Sequence, residues 1–211
     1  MRPSRELSRK AFIAAVLFET SLVGVAWMLG AATDDSPFEH LELSLAQGLL
    51  GVALTLPMLA FLLWFLRTGW APLRGIRDAL DATFVPLFRH CTWDEILALA
   101  CAAGVGEELL FRAWMQASLA EWLGAYPALA IAAVAFGVVH AVTRAYAVLP
   151  TAFGADLGRG CLCTGDVFAP LVAHVVYDAV ALFVILRRAP RDDVPRARPP
   201  DVEESGESRP R

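Results

Sequence analysis

Gly104-Val-Gly-Glu-Glu-Leu-Leu-Phe-Arg112 sets two adjacent carboxylates, Glu107 and Glu108, and a guanidinium, Arg112, inside a stretch that otherwise reads as membrane-buried helix. Ile96-Leu-Ala-Leu-Ala-Cys-Ala-Ala103 precedes it, and apolar texture resumes at Trp114 and Met115. A charge at the centre of a bilayer costs ~2.5–3.5 kcal/mol on insertion scales, so three together require partners, water or a function. Two readings stand side by side: a salt-bridged structural knot in a helical bundle, or a working polar site. If the stretch is helical, Glu108 and Arg112 are four apart and share a face, while Glu107 lies about 100° round the axis. That spacing lets Glu108 and Arg112 pair and leaves Glu107 free to face the bundle centre as a general base for water.

The surrounding composition supports a membrane setting. The 211 residues suit one domain, 57% are hydrophobic and 19% charged, against roughly 25% charged in soluble domains. Mean hydropathy is +0.52. A formal net charge of -4 with no basic patch gives no footprint for nucleic acid. Four cysteines (Cys91, Cys101, Cys161, Cys163) are too few for a disulfide framework. Cys161-Leu-Cys163 lacks the second Cys/His pair of a structural zinc site and reads as two packing residues, with a metal or redox pair as the alternative.

Six spans are expected, giving an all-α polytopic membrane helical bundle of about six transmembrane helices. Residues 1–10 form a basic N-terminus with Arg2, Arg5, Arg9 and Lys10 against Glu6. The apolar run 11–32 is longer than the ~7–15 residues of a signal-peptide core and reads as a retained first span. Glu19 inside it either reaches a polar centre or snorkels. The second span is 43–66, with Pro57 tolerated as a kink. Residues 67–94 contain Arg67, Arg74, Arg77 and Arg89, and Leu73, Ile76, Leu80 and Phe84 recur at helical spacing. That pattern predicts an amphipathic helix on the membrane surface. The third span starts near Trp93, a turn at Gly124, Tyr126 and Pro127 leads to a fourth over 128–142, and the last runs 168–186.

The fifth, 146–163, is the least hydrophobic, holding Pro150, Asp156 and Arg159. Gly154 and Gly158 give it a small-xxx-small face for close helix approach, and Asp156 can pair with Arg159. The main domain is therefore 11–187, with its motifs in 93–186, and 188–211 is a proline- and charge-rich tail with little to bury, expected to be disordered. Loop 33–42 carries four acids and no Lys or Arg. The positive-inside rule then places both termini in the cytoplasm and the chain in the cell membrane.

Two more polar motifs fall on apolar spans. Phe136 and His140 are four apart, as are His174 and Asp178. An acid one turn after an imidazole can set its tautomer and orientation. In this order, Glu107-Glu108-xxx-Arg112, Phe136-xxx-His140 and His174-xxx-Asp178, the chain resembles the CAAX-processing and bacteriocin-processing intramembrane endopeptidases, the CPBP (Abi) family. Phe111-Arg112, Thr164-Gly165 and Pro170 are smaller likenesses. The resemblance spans about 93–186 and implies hydrolysis of a peptide bond in a membrane-associated protein or peptide at the lipid bilayer. It implies Glu107 as base, His140 holding the attacking water, and His174 with Asp178 on the oxyanion side, supported by Glu108, Arg112 and Phe136. Asp178 stands where many family members have Asn; an ionised aspartate cannot donate to an oxyanion, so it is expected to act through His174.

No cofactor is required on this reading. Zinc held by His140, His174 and Glu107 is the alternative, although no His-Glu-x-x-His helix is present. A non-catalytic membrane scaffold or immunity protein using the same residues as a polar core also fits. A small transporter fits less well, because the ionisable residues gather in one set of motifs and no inverted repeat stands out.

Overall fold

The computed structural model describes residues 5–141 and 144–188, with nothing stated of the Arg144 side chain. The first four residues of the basic N-terminus and the tail from 189 onward lie outside the described residues. Among those described, every regular element is a helix: α1 Arg5–Thr33, a 3-10 turn Pro37–His40, α2 Leu45–Arg67, α3 Ala71–Thr83, α4 Val85–Phe88 and α5 Trp93–Glu107. They are followed by a π-helix Glu108–Gln116, α6 Ala117–Leu123, α7 Ala125–Val139, α8 Arg144–Thr164 and α9 Phe168–Arg188.

Local chemistry sets these boundaries. Ser44 caps α2 by accepting from the Gln47 N–H at 3.1 Å. Thr92 and Glu95 form a capping box that starts α5, the Glu95 carboxylate accepting from Thr92 N–H at 2.9 Å. Gly124, with φ +84°, ends α6 in a conformation that side chains with a Cβ rarely adopt and reverses the chain into α7. Asp166 joins two loops at the entry to α9, its carboxylate accepting from Phe168 N–H and from Glu42 N–H, both at 2.6 Å.

Three helices, α1, α2 and α9, are each long and apolar enough to cross a membrane. The segment α5–π–α6 runs without a break and carries the charged motif, while α7 is apolar but short. Leu17, Phe18, Leu56, Leu63 and Val138 stand exposed along the outer faces, as side chains against lipid do. Exposed aromatics gather toward the helix ends, Trp70 and Trp93 at one and Trp122 and Tyr126 at the other, the pattern of an interfacial belt. This is a helical membrane bundle.

The two ends differ in charge. The start of α1, the end of α2, α3, α4, the start of α5 and the end of α9 meet at one end, where Arg188 bonds Asp81 at 3.0 Å. Arg77 there donates to the free C-terminal carbonyls of α2 at Phe65 and Thr68. The other end holds Asp35, which accepts from Ser118 Oγ at 2.8 Å and pairs with His40 at 2.9 Å.

Helix α3 differs from the expectation. It is amphipathic, but Leu73, Ile76 and Leu80 pack into a core with Leu62, Phe65 and Ala181 rather than facing lipid. Apolar spacing on one face shows that the face is covered, and in this case protein covers it. Asp156 and Arg159 likewise depart from the expected pairing: both are exposed and no ion pair joins them. The small-xxx-small face of α8 does serve close packing. A Cβ on Gly154 would meet Arg112 Nη2 and Phe136 Cδ1, each at 3.2 Å. The carbonyls of Gly154 and Gly158 accept from Arg112 at 3.2 Å and Gln116 at 3.1 Å. Cys161 and Cys163 are free thiols, Cys161 packed beside Leu109 and Val167.

Candidate functional site

Two glycines on α5 set the spacing of the site. The Gly104 Cα faces α9, where an added Cβ would lie 2.5 Å from Val175 Cγ2, and Gly106 faces α1, where a Cβ would strike the Glu19 carbonyl oxygen. Both approaches are open only to residues without a side chain, and they bring α9 and α1 against the turn that carries Glu107 and Glu108. Beyond Glu107 the helix widens into nine residues of π-helix, a local irregularity common at functional sites.

Glu108 is completely buried. Its Oε1 accepts from Arg112 Nη1 at 2.9 Å and from His174 Nδ1 at 2.8 Å, so one oxygen joins the guanidinium to an imidazole from another helix. Arg112 lies over the Phe136 ring with its Cζ 4.4 Å from the centroid, a cation–π contact that shields the charge from lipid. Phe136 is the common wall: it stands edge-on to Phe111 at 5.3 Å and to His174 at 5.9 Å, and is tilted on His140 at 4.4 Å.

Glu107 sits on the next face, nearly buried, with Oε1 3.1 Å from His140 Nε2 and Oε2 3.5 Å from His174 Nε2. His140 Nδ1 lies 2.8 Å from the Phe136 carbonyl oxygen. That oxygen can only accept, so Nδ1 carries a proton, and the contact between Nε2 and Glu107 then shares a second proton. His140 ends α7, which spans 15 residues, about 22 Å long against a hydrocarbon core of ~30 Å. The helix therefore stops inside the bundle and delivers an imidazole there, its side chain 32% exposed toward a cavity.

Glu107, His140, His174 and Asp178 line one cavity of about 290 Å³. Its walls are mostly apolar, with Phe61, Phe153 and Tyr177 in mutual ring contact, the first pair at 5.6 Å and the second at 4.9 Å. Asp178 stands with Oδ2 3.5 Å from His174 Nε2. Glu108 engages the other ring nitrogen, Nδ1, from 66 residues away, so carboxylates from two helices hold the His174 ring. Glu19 also lines this cavity, with its carboxyl within interaction range of that of Glu107. It, Tyr146 and Tyr177 are site residues that spacing did not single out. The available signal was Glu19 as a lone acid in an otherwise apolar span.

Among the described residues, no group of three or more His, Cys, Asp or Glu side chains is arranged to hold a metal ion. The carboxylates and imidazoles hydrogen-bond one another at these positions. Chemically, the site holds a buried carboxylate between two imidazoles in the wall of an apolar chamber, a fit for polarising one water beside an apolar chain.

Residues 89–180 match the family model described as Rce1-like, type II CAAX prenyl endopeptidase. The matched segment contains all three motifs and excludes α1 and α2. Searches of curated proteins and of solved structures gave no match.

Proposed function

From the match of residues 89–180 to the Rce1-like family of type II CAAX prenyl endopeptidases, we propose that this chain hydrolyses a peptide bond using Glu107 as its general base. The carrying observation is the position of Glu107, between His140 at 3.1 Å and His174 at 3.5 Å, in the wall of the apolar chamber.

A water entering the chamber beside Glu107 and His140 gives its proton to the Glu107 carboxylate as its oxygen adds to the scissile carbonyl carbon. The oxyanion so formed lies on the His174 side. Three carboxylates, Glu107, Glu108 and Asp178, face one guanidinium in this core, and charge balance favours both imidazoles carrying a proton. His174 then has Nδ1–H on Glu108 and Nε2–H available to the oxyanion, a preorganised donor of the kind worth ~3–4 kcal/mol at the transition state. Collapse of the tetrahedral intermediate breaks the C–N bond, and Glu107 returns its proton to the leaving nitrogen. Asp178 holds His174 Nε2–H on the chamber side, and Phe136 screens Arg112 and keeps the two imidazole planes apart. No step in this scheme calls on a metal.

For substrate, the apolar walls formed by Phe61, Phe153, Leu157 and Tyr177 suit an apolar or lipid-modified segment next to the scissile bond, such as a prenylated C-terminal peptide. The basic end with Arg67, Arg74, Arg77, Arg187 and Arg188 is the cytoplasmic one in this scheme. The chain then crosses the cell membrane several times with both termini inside. The test is cleavage of an internally quenched prenylated CAAX peptide by protein in proteoliposomes. Glu107→Gln keeps the shape and removes the base, so cleavage is expected to fall by ~10²–10⁴-fold. Undiminished cleavage by that variant rules out the mechanism, and a wild type that leaves the peptide uncleaved favours a scaffold whose acids are structural.

A further inference from the structure

We propose that Glu19 of α1 is a positioning residue of this site, donating a hydrogen bond from its carboxyl to Glu107 and so holding Glu107 as the ionised base. The proposal rests on the endopeptidase reading, and it extends the site to a helix outside the matched segment 89–180.

Three observations carry it. The α1 backbone meets α5 at Gly106, where any Cβ would strike the Glu19 carbonyl oxygen, so the crossing point of the two helices is Glu19 itself. The Glu19 carboxyl lines the same cavity as Glu107, His140 and Asp178, and the crossing of α1 over Gly106, the residue before Glu107, sets it beside the Glu107 carboxyl within interaction range. Two carboxyl groups can hydrogen-bond only when one of their oxygens carries a proton, because ionised carboxylates have acceptors alone. Finally, Glu19 Oε2 is buried and receives no hydrogen bond. An ionised oxygen there would be a desolvated charge with no donor, whereas a neutral carboxyl leaves only a weak acceptor unpaired.

The assignment of the proton follows from the neighbours. Both oxygens of Glu107 face imidazoles, His140 and His174, and those contacts stabilise the ionised form. Glu19 has no such cation in contact with its own oxygens, although His140 and Asp178 lie within electrostatic range. The proton therefore resides on Glu19, and Glu107 accepts from it. A donor behind the base fixes the carboxylate plane, keeping one oxygen toward the water position beside His140.

The experiment compares Glu19→Met, Glu19→Gln and wild type in proteoliposomes with the quenched prenylated CAAX peptide, alongside thermal unfolding in the same lipid. Glu19→Met removes the donor and replaces it with an apolar chain of similar length. A purely structural acid on a membrane helix predicts unchanged turnover on this replacement. A positioning role predicts kcat lower by about 10- to 100-fold, the span expected for one hydrogen bond to a charged group, with KM and the unfolding midpoint unmoved. Glu19→Gln restores a neutral N–H donor, and most of the lost kcat is expected to return.

Equal activity of Glu19→Met and wild type overturns the proposal. So does a Glu19→Gln variant as slow as Glu19→Met, because a proton-transfer role and not donation would then be at work. Infrared spectroscopy without substrate gives a separate reading: the C=O stretch of a protonated carboxyl at neutral pH is expected in wild type and lost in Glu19→Gln. Persistence of that band in Glu19→Gln also overturns it. Failure of the endopeptidase reading appears instead as uncleaved peptide in wild type, and the infrared result stands apart from it.

Discussion

Glu107 and Glu108 are adjacent in sequence, yet their replacement is expected to fail in opposite ways. Glu108→Ala leaves Arg112, whose side chain is 1% exposed, with the Gly154 carbonyl at 3.2 Å and the Phe136 ring as its remaining contacts. Removing one partner of a buried pair costs about 3–5 kcal/mol, a large share of a total stability that is typically 5–15 kcal/mol. The same change strips His174 Nδ1 of its acceptor. Glu108→Gln keeps an acceptor oxygen at the same place but removes the counter-charge, leaving the two hydrogen bonds charge-assisted from the donor side only. With each worth about 1 kcal/mol less, the loss is about 2 kcal/mol. Glu107 supports no guanidinium, and an amide of the same shape can still bond His140. Glu107→Gln should therefore cost less than about 1.5 kcal/mol of stability while abolishing cleavage. The assay is equilibrium unfolding of each variant in a bilayer mimetic, followed by helical circular dichroism, with peptide cleavage measured on the same preparations. A Glu108→Ala protein as stable as Glu107→Gln, or a Glu107→Gln protein that unfolds with it, refutes the division of labour between the two acids.

Other outcomes follow from the same geometry. Gly106→Ala places a methyl against the Glu19 carbonyl oxygen; overpacking of about 1–3 kcal/mol outweighs the ~1 kcal/mol helix propensity gained over glycine, and cleavage falls as α1 is displaced, which unfolding and kinetics together will show. Phe136→Leu removes the ring over Arg112 and is expected to lower stability by about 1–3 kcal/mol, with activity reduced in parallel, read by the same two measurements. Asp178→Asn keeps the side-chain shape beside His174 and supplies an amide donor, so cleavage is expected to persist within about tenfold of wild type, since one neutral hydrogen bond is at stake; complete loss would make the Asp178 charge essential. Treatment with a strong chelator followed by elemental analysis is expected to leave cleavage unchanged and metal below one equivalent, and loss of activity restored by zinc would overturn the metal-free mechanism.

Much of the candidate site was legible because helical spacing survives small changes of helix type. Glu108 and Arg112 were expected to pair from their four-residue separation on an α-helix, and they pair although the backbone there is π, since four residues still bring the two side chains nearly into line. His174 shows the limit of that rule. The local partner, Asp178, one turn away, meets Nε2, but the partner of Nδ1 is Glu108, brought there by the packing of α5 on α9 at Gly104, which no spacing within one helix can display. Glu19 was left undecided for the same reason, its partner becoming apparent only where α1 crosses Gly106. The covering of α3 by protein in place of lipid was equally hidden, since both partners demand the same apolar stripe.

The short α7 has a consequence for evolution of the chamber. A helix of 15 residues, about 22 Å long in a slab of ~30 Å, leaves the remaining depth as vacant territory, walled by neighbours that never needed to touch it. Residues such as Leu149, Phe153 and Leu182 can then change size and reshape what the chamber admits, while the acids and imidazoles above them keep their places. Specificity and chemistry are stacked at different depths, so one can drift without disturbing the other.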